Sequence, residues 1–507
     1  MILAVHRSAV AMPKDIDQQV IVRALESGAA TGEEPLKRID THMSHLFLGE
    51  TRVYKLKQNR RHPFADMSTT EARRLSCEAE LAVNKALAPD LYEAVLPVVR
   101  AADGAIRVGG DGEAIDWVVS MRRFPDGALL DEIARAGRLT PELVDEAVGA
   151  VAAFHAGLPS HPDTGHVADY RKIIEGLRRT EAEGAAALGL QPGSARLFAA
   201  LEQELARLSP LIEARRRDGW VRRGHGDLHL RNICLFQGRV TPFDALEFDP
   251  ALATADLIYD AAFLFMDLRA RGLDALANLA MNRYWDASGQ PEAALAVLPL
   301  FMALRAAVRM AVAVESGDLA QAARYRELGE TLLRPSPPRL LAIGGLSGTG
   351  KSTLARALAP RLPGPCGARL LRTDLLRKAL AGVEPTARLS DEAYRRVGRE
   401  TVYKVQTRHA REALAAGACV IADATFREDG PRAEIEAAGG GLPFIGLWLQ
   451  APMEVRVSRV AARQGDASDA TPEIAATQVE PQHLSPAWRV LDASQDVEAL
   501  AAEILEA

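Results

Sequence analysis

The sequence predicts two fold classes in succession, α+β and then α/β with a parallel sheet. Three observations carry this. The first 121 residues alternate short apolar strand-like runs with one strong helix signal. Residues from Ala128 to about Leu333 are mostly helical in pattern and rich in Ala, Leu and Arg. After residue 340, strands and helices alternate, opened by Gly345-Leu346-Ser347-Gly348-Thr349-Gly350-Lys351-Ser352.

The elements read as follows. Residues 14–30 predict an amphipathic helix. His45–Leu48 and Arg52–Lys57 predict strands joined at Gly49-Glu50-Thr51 as a hairpin. Ser68-Thr69-Thr70-Glu71 is a capping-box pattern that starts a helix running to about Leu87. Val95–Arg100, Ala105–Val108 and Ile115–Met121 complete a small sheet. Within the helical stretch one interruption, Arg223 to Phe248, has loop and strand character, with strands at Ile233–Phe236 and Val240–Asp244. Arg334-Pro335-Ser336-Pro337-Pro338-Arg339 cannot continue a helix and favours an extended spacer, so the domains are expected at 1–333 and 340–507 with a linker at 334–339. Beyond it, Leu340–Ile343, Arg369–Arg372, Cys419–Ala422, Phe444–Leu449 and Arg489–Leu491 read as the strands of the parallel sheet.

Composition sets outer limits. With 507 residues, 48% hydrophobic and 25% charged, the chain has globular proportions and room for two or more domains. No apolar run reads as membrane-spanning, and Met1–Arg7 lacks the pattern of a signal peptide. Cys77, Cys234, Cys366 and Cys419 are scattered and form no C-x-x-C pair. Buried free thiols in a reducing, cytoplasmic setting are expected. A net charge of −6 weighs against a surface dedicated to nucleic acid.

The glycine-rich stretch has the form G-x-x-x-x-G-K-S between a strand and a helix, the context a P-loop requires. Backbone N–H groups from Gly345, Ser347, Gly348, Thr349 and Gly350 can curl around phosphate oxygens, with the N-terminus of the helix at Thr353 adding its positive end. Lys351 would reach the β/γ-phosphates, and Ser352 would ligate Mg²⁺. Asp374 follows the next strand, where it could deprotonate an acceptor hydroxyl; a helix N-cap is the plain alternative. Arg377 follows one helical turn later. Asp423 ends another strand, placed for Mg²⁺ or substrate, with a turn residue as the alternative. Arg463 precedes a polar stretch, Gln464–Thr471, that reads as a lid; a lid arginine would stabilise charge on a transferring phosphoryl group, and Arg427 is a weaker candidate for that region.

A second constellation lies in the interruption of the helical stretch. His225-Gly226-Asp227 followed five residues later by Asn232 has the spacing of a kinase catalytic loop, and Asp244 follows a strand. Asp227 can accept a hydroxyl proton, and Asn232 and Asp244 can hold Mg²⁺ against a triphosphate. Asp256 and Asp260 are expected to brace this loop, and His155 to be a core histidine.

Over residues 35–330 this pattern resembles the aminoglycoside phosphotransferase family, whose loop reads H-G-D-x-H-x-x-N; His229 matches the second histidine. The resemblance implies a bilobal protein-kinase-like domain with Arg122-Arg123-Phe124-Pro125 as hinge. It makes Lys55 the phosphate-binding lysine, with Lys57 as the alternative, and Val53 a residue over the adenine. Glu80 becomes the lysine's partner, with Glu78 as second choice. The family's glycine-rich loop is missing. Thr41-His42-Met43-Ser44 stands there, with Ser44 able to contact phosphate. Residues 339–507 resemble polynucleotide 5′-kinases, zeta toxins and related small-molecule kinases of the P-loop NTPase fold. The fused order resembles the bifunctional aminoglycoside phosphotransferase/ATP-binding protein family, with an AAA-like ATP-binding domain second. These resemblances imply an ATP- and Mg²⁺-dependent phosphotransferase acting on hydroxyl acceptors, small molecules before nucleic acids, without a membrane partner. The alternatives are a nucleic-acid 5′-end kinase and a nucleotide-sensing regulator with one inactive domain.

Overall fold

The computed structural model describes residues 17–41, 43–62, 65–247, 250–390, 392, 397–463 and 467–506. The chain divides into two compact units, Met1–Arg138 with His225–Ala253, and Leu139–Gly224 with Thr254–Ala507. The helices that flank the interruption thus group with residues 340–507. The stretch 334–339 has no regular structure, and its residues are exposed or half-buried, as its prolines dictate.

The first unit is built on a six-stranded antiparallel sheet. Its order is Lys37–Asp40, Ser44–Leu48, Arg52–Lys57, Glu113–Arg122, Tyr92–Arg100, Ile106–Val108. The strand Lys37–Asp40 is an addition to the sequence reading; with three charged residues and only Ile39 apolar, it carries no apolar pattern. Alternation along Arg52–Lys57 decides the layout, because successive side chains leave opposite faces of a strand. Tyr54 and Leu56 pack with Ile21, Val22 and Leu25 of helix Gln18–Glu26. Val53, Lys55 and Lys57 leave by the other face, where Val53 packs against a core containing Cys77 of helix Thr70–Leu87. That helix begins where expected, but Thr69 is its cap, accepting from the Ala72 N–H at 3.1 Å.

In the second unit, helix Leu257–Ala270 is buried along nearly its whole length. Asp256 caps it and pairs with Arg215 at 2.6 and 2.8 Å, so its observed role is helical packing. His155 is buried between the Tyr284 hydroxyl (2.9 Å) and Asp260 (3.0 Å), a core histidine as expected. The stretch Glu292–Glu315 is long and apolar enough to span a membrane, with a mean hydropathy of 1.8, which corrects the sequence reading. Its apolar window is 78% buried inside the chain. Arg305 within it stacks over Tyr259 at 3.7 Å, an arrangement suited to a protein interior.

Residues 340–506 form a five-stranded, all-parallel sheet in the order Arg369–Arg372, Val420–Asp423, Leu340–Gly345, Phe444–Gln450, Trp488–Asp492. The strand Arg369–Arg372 is an edge, and exposed edges invite pairing with other chains. Here helix Asp274–Ser288 covers it. Asn282 accepts from the Leu370 N–H at 2.7 Å and donates to the Ala368 carbonyl at 3.1 Å, imitating a missing strand. Arg369 is buried among Asp286 (2.7 Å), Glu292 (3.0 Å) and Asn282 (3.1 Å). The four cysteines are buried free thiols, as expected.

Candidate active sites

The first candidate site lies within the first unit. Because Lys55 and Lys57 share a strand face, both reach the helix Thr70–Leu87, and both meet Glu80 there. Lys55 Nζ lies 2.8 Å from Glu80 Oε1 and 2.6 Å from Asp244 Oδ1. Lys57 pairs with the other Glu80 oxygen and with Glu247. The choice between the two lysines thus resolves into a shared network. Lys55 contacts Asp244, whose carboxylate is the more open to solvent, while Lys57 is sealed at 1% side-chain exposure. Glu78 instead pairs with Arg74 on the exposed side of its helix. Burial opposes charge on Glu80, but the Lys55 and Lys57 ammoniums overcome it and hold the carboxyl at about 2. Glu247 is the residue sequence reasoning missed; its position three residues after Asp244 was the available signal.

The loop carrying Asp244 is pinned by side chains. Asp244 has φ 62°, a left-handed conformation uncommon for a non-glycine residue. Its N–H donates to the Tyr92 hydroxyl at 3.3 Å. The Asn84 amide clamps the next residue, accepting from the Ala245 N–H at 2.8 Å and donating to its carbonyl at 3.3 Å. In the catalytic-type loop, Asn232 Nδ2 donates to the Asp227 carboxylate at 2.8 Å and to its carbonyl at 2.9 Å. His229 Nε2 lies 3.4 Å from the same carboxylate, and His225 bonds the Phe243 carbonyl at 2.8 Å. Gly226, at φ 81°, is required: a Cβ there would lie 2.7 Å from Leu246. With its amide N–H groups on Asp227, Asn232 keeps its carbonyl oxygen for a cation. Asp244 offers a carboxylate, so the residues fit Mg²⁺, which usually takes one or two carboxylates together with nucleotide phosphates. Ser44 is fully buried, its hydroxyl without a hydrogen-bond partner among the described residues. Its register opposite Lys57 puts it on the sealed part of the strand pair, so the structure does not open it to phosphate.

Removing Glu80 would leave two buried ammoniums short of counter-charge. Glu80→Ala is expected to destabilise the chain by about 3 kcal/mol, read from urea unfolding; a loss below about 0.5 kcal/mol would contradict the network. Because the Glu80 carboxyl is depressed, its stabilisation is complete above the ordinary glutamate range. It should be lost as pH falls from there towards 2.

The second candidate site is a cavity of about 600 Å³ at the carboxyl ends of the parallel strands, lined by Lys351, Ser352, Thr353, Asp374, Asp423 and Arg463 among others. Gly350 is left-handed and opens the helix Lys351–Leu358. Gly348 passes so near the helix Met453–Ala461 that a Cβ would meet the Arg456 carbonyl at 2.4 Å. Gly345 donates to Thr425 O at 3.3 Å, and the Thr349 hydroxyl to Leu346 O at 2.9 Å. Lys351 Nζ bonds Leu346 O at 2.9 Å, and the Ser347 N–H donates to the Gln478 side chain at 2.6 Å. Burial lowers the Lys351 pKa against the opposing pull of Asp423 and Asp374.

Ser352 Oγ donates to Asp423 Oδ2 at 2.5 Å, and Arg372 lies 3.5 Å from the same carboxylate. A hydroxyl and a carboxylate oxygen side by side fit Mg²⁺ held with nucleotide phosphates. Asp374 sits in the first turn of helix Thr373–Ala381, beyond its N-cap position, so the capping alternative does not describe it. Burial, reinforced by the negative charge of Asp423, pushes its pKa up, while Arg372, Lys351 and Ser468 pull it down. Arg377 is buried and bonds the Val397 carbonyl at 3.0 Å. Arg427 lines the cavity too. Of the expected lid, residues 464–466 lie outside the described residues; Ser468 and Asp469 line the cavity, and Asp469 pairs with Lys378 at 2.6 Å.

Comparison with known proteins gives two family matches, "Phosphotransferase enzyme family" over residues 49–296 and "AAA domain" over 340–482. An uncharacterized protein of Mycobacterium tuberculosis (strain H37Rv) is 30% identical over 457 residues, covering 86% of this chain and 88% of the relative. The adenylyl-sulfate kinase of Myxococcus xanthus is 35% identical over 123 residues, 24% of this chain and 62% of that protein. Among solved structures, choline kinase from Cryptosporidium parvum superposes with a TM-score of 0.39 at 12% identity, covering 62% of this chain and 95% of that one.

Proposed function

Since the chain belongs to the family of its mycobacterial relatives, carries a phosphotransferase-enzyme segment ahead of an AAA-domain segment, and is itself a phosphotransferase, we propose that it holds two ATP- and Mg²⁺-dependent kinase-type sites. Each transfers the γ-phosphoryl group to a hydroxyl, in small molecules by preference. The observation that carries this reading is the Ser352–Asp423 pair in one cavity with Lys351 and a half-buried Asp374. That set supplies a phosphate cation, metal-type oxygens and a base. The first site repeats the set with Lys55, Asp244, Asn232 and Asp227.

In the second site, Lys351 and the backbone N–H groups of Ser347 to Gly350 bind phosphate, Asp374 takes the acceptor proton and Arg463 faces the transferring group. A Mg²⁺ ion held by Ser352 and Asp423 would neutralise phosphate charge. In the first site, Asn232 orients the Asp227 carboxylate towards the acceptor, Lys55 binds phosphate, and Glu80 sets the lysine's position. The boundary between the two segments is proposed at 334–339, inside the second compact unit, and a reducing cytoplasm suits four buried thiols.

Binding of Mg·ATP to the full chain tests the reading. Two classes of site are expected, and Lys351→Ala should weaken one of them about ten- to hundredfold, through loss of roughly 1.5–3 kcal/mol from a charge-assisted phosphate contact. An isotherm unchanged by the substitution would overturn the P-loop assignment.

A further inference from the structure

The second cavity holds more positive charge than phosphoryl transfer requires. Lys351 and Arg463 serve the triphosphate in the reading above, yet Arg388, Arg399 and Arg427 line the same space. They come from three separate places: the loop after helix Thr373–Ala381, the start of helix Arg399–Ala415, and the loop that follows Asp423. Arg399 is partly answered by Glu428 at 2.9 Å, in a solvent-exposed pair. Arg427 is different. It is half-buried, its Nε is shielded from solvent, and no hydrogen bond or ion pair from its guanidinium occurs among the described residues. Arg388 likewise has no such partner and is exposed at the cavity wall.

A shielded guanidinium donor without an acceptor is costly unless a ligand completes it, and its planar fork matches carboxylate, phosphate and sulfate groups. Asp374 and Asp423 do not supply that partner. Asp423 is held by Ser352 and lies beside Arg372, and Asp374 interacts with Ser468. A cavity of about 600 Å³ that also admits a nucleotide leaves room for a compact acceptor. We infer that the acceptor of the P-loop site is a small anionic alcohol, a hydroxyl compound bearing a phosphate, sulfate or carboxylate, and that Arg427 is its specificity-determining contact with Arg388 in support. This rests on the phosphotransfer reading of the same site and adds the substrate class.

The test uses the full-length protein saturated with Mg·AMP-PNP and titrated with glycerol 3-phosphate, glycerate and glycerol. The anionic alcohols should bind at least about tenfold more tightly than glycerol. Arg427→Gln should remove that advantage while Mg·AMP-PNP affinity stays within about twofold, and Arg427→Lys should keep part of it. Equal affinities for the three alcohols, or an anionic preference that survives Arg427→Gln, would overturn the inference and leave the kinase reading standing. A 5′-hydroxyl oligonucleotide that binds in an Arg427-dependent way more tightly than both small anions would overturn it in favour of a nucleic-acid acceptor. Mg·AMP-PNP binding that is indifferent to Lys351→Ala would instead remove the kinase reading itself, and this inference with it.

Discussion

Asp227→Asn is expected to lower transfer at the first site by about 10²–10⁴-fold, the usual worth of a positioned general base. The amide cannot accept the acceptor's proton, yet it occupies the same volume. Asn232, which donates to that carboxylate at 2.8 Å, can still donate to the amide oxygen. Fold and Mg·ATP affinity should therefore be little changed. Asp244→Ala should fail differently. It removes the carboxylate 2.6 Å from Lys55 Nζ and a metal-type oxygen, so nucleotide affinity itself should drop. Both are measured as ATP affinity and acceptor turnover in a Lys351→Ala background, which silences the other site. Turnover equal to that of the unsubstituted Asp227 protein would make the first unit a binding module.

Asp374→Asn should depress transfer at the second site by a similar ~10²–10⁴-fold, with ATP binding retained. Burial and the neighbouring Asp423 raise the Asp374 pKa, and the base works only when deprotonated. The acid limb of this site's pH–rate profile should accordingly lie above the ordinary aspartate range and vanish in Asp374→Asn. A limb in the ordinary range, or an Asn variant of normal rate, would show that Asp374 is not the base.

Much of this was legible in the chain because local chemistry repeats at fixed spacing. The P-loop, Asp374 and Asp423 all lie at or just beyond strand ends, and apolar runs bounded by turn residues reveal strand ends. The loop spacing of His225, Asp227 and Asn232 likewise survives as a short motif. What was hidden depends on which side chains meet across the fold. Lys55 and Lys57 were rivals on one strand face in sequence, and only the fold shows that both meet Glu80. Glu247 carries no motif of its own. The polar edge strand Lys37–Asp40 is fixed by pairing with Ser44–Leu48, without an apolar pattern to announce it. Asn282 and Arg369 are ordinary polar residues in sequence, yet they join the covering helix to the sheet edge.

Two separable phosphotransfer sites on one chain can be told apart by what each one labels. The most direct test is transfer of label from [γ-³²P]ATP to a panel of metabolites by the wild type, Asp227→Asn, Asp374→Asn and the double variant. Acceptors should fall into two sets, one lost in each single variant and both lost in the double. Labelling that persists in the double variant, or a single set of acceptors lost equally in both single variants, would contradict the two-site reading.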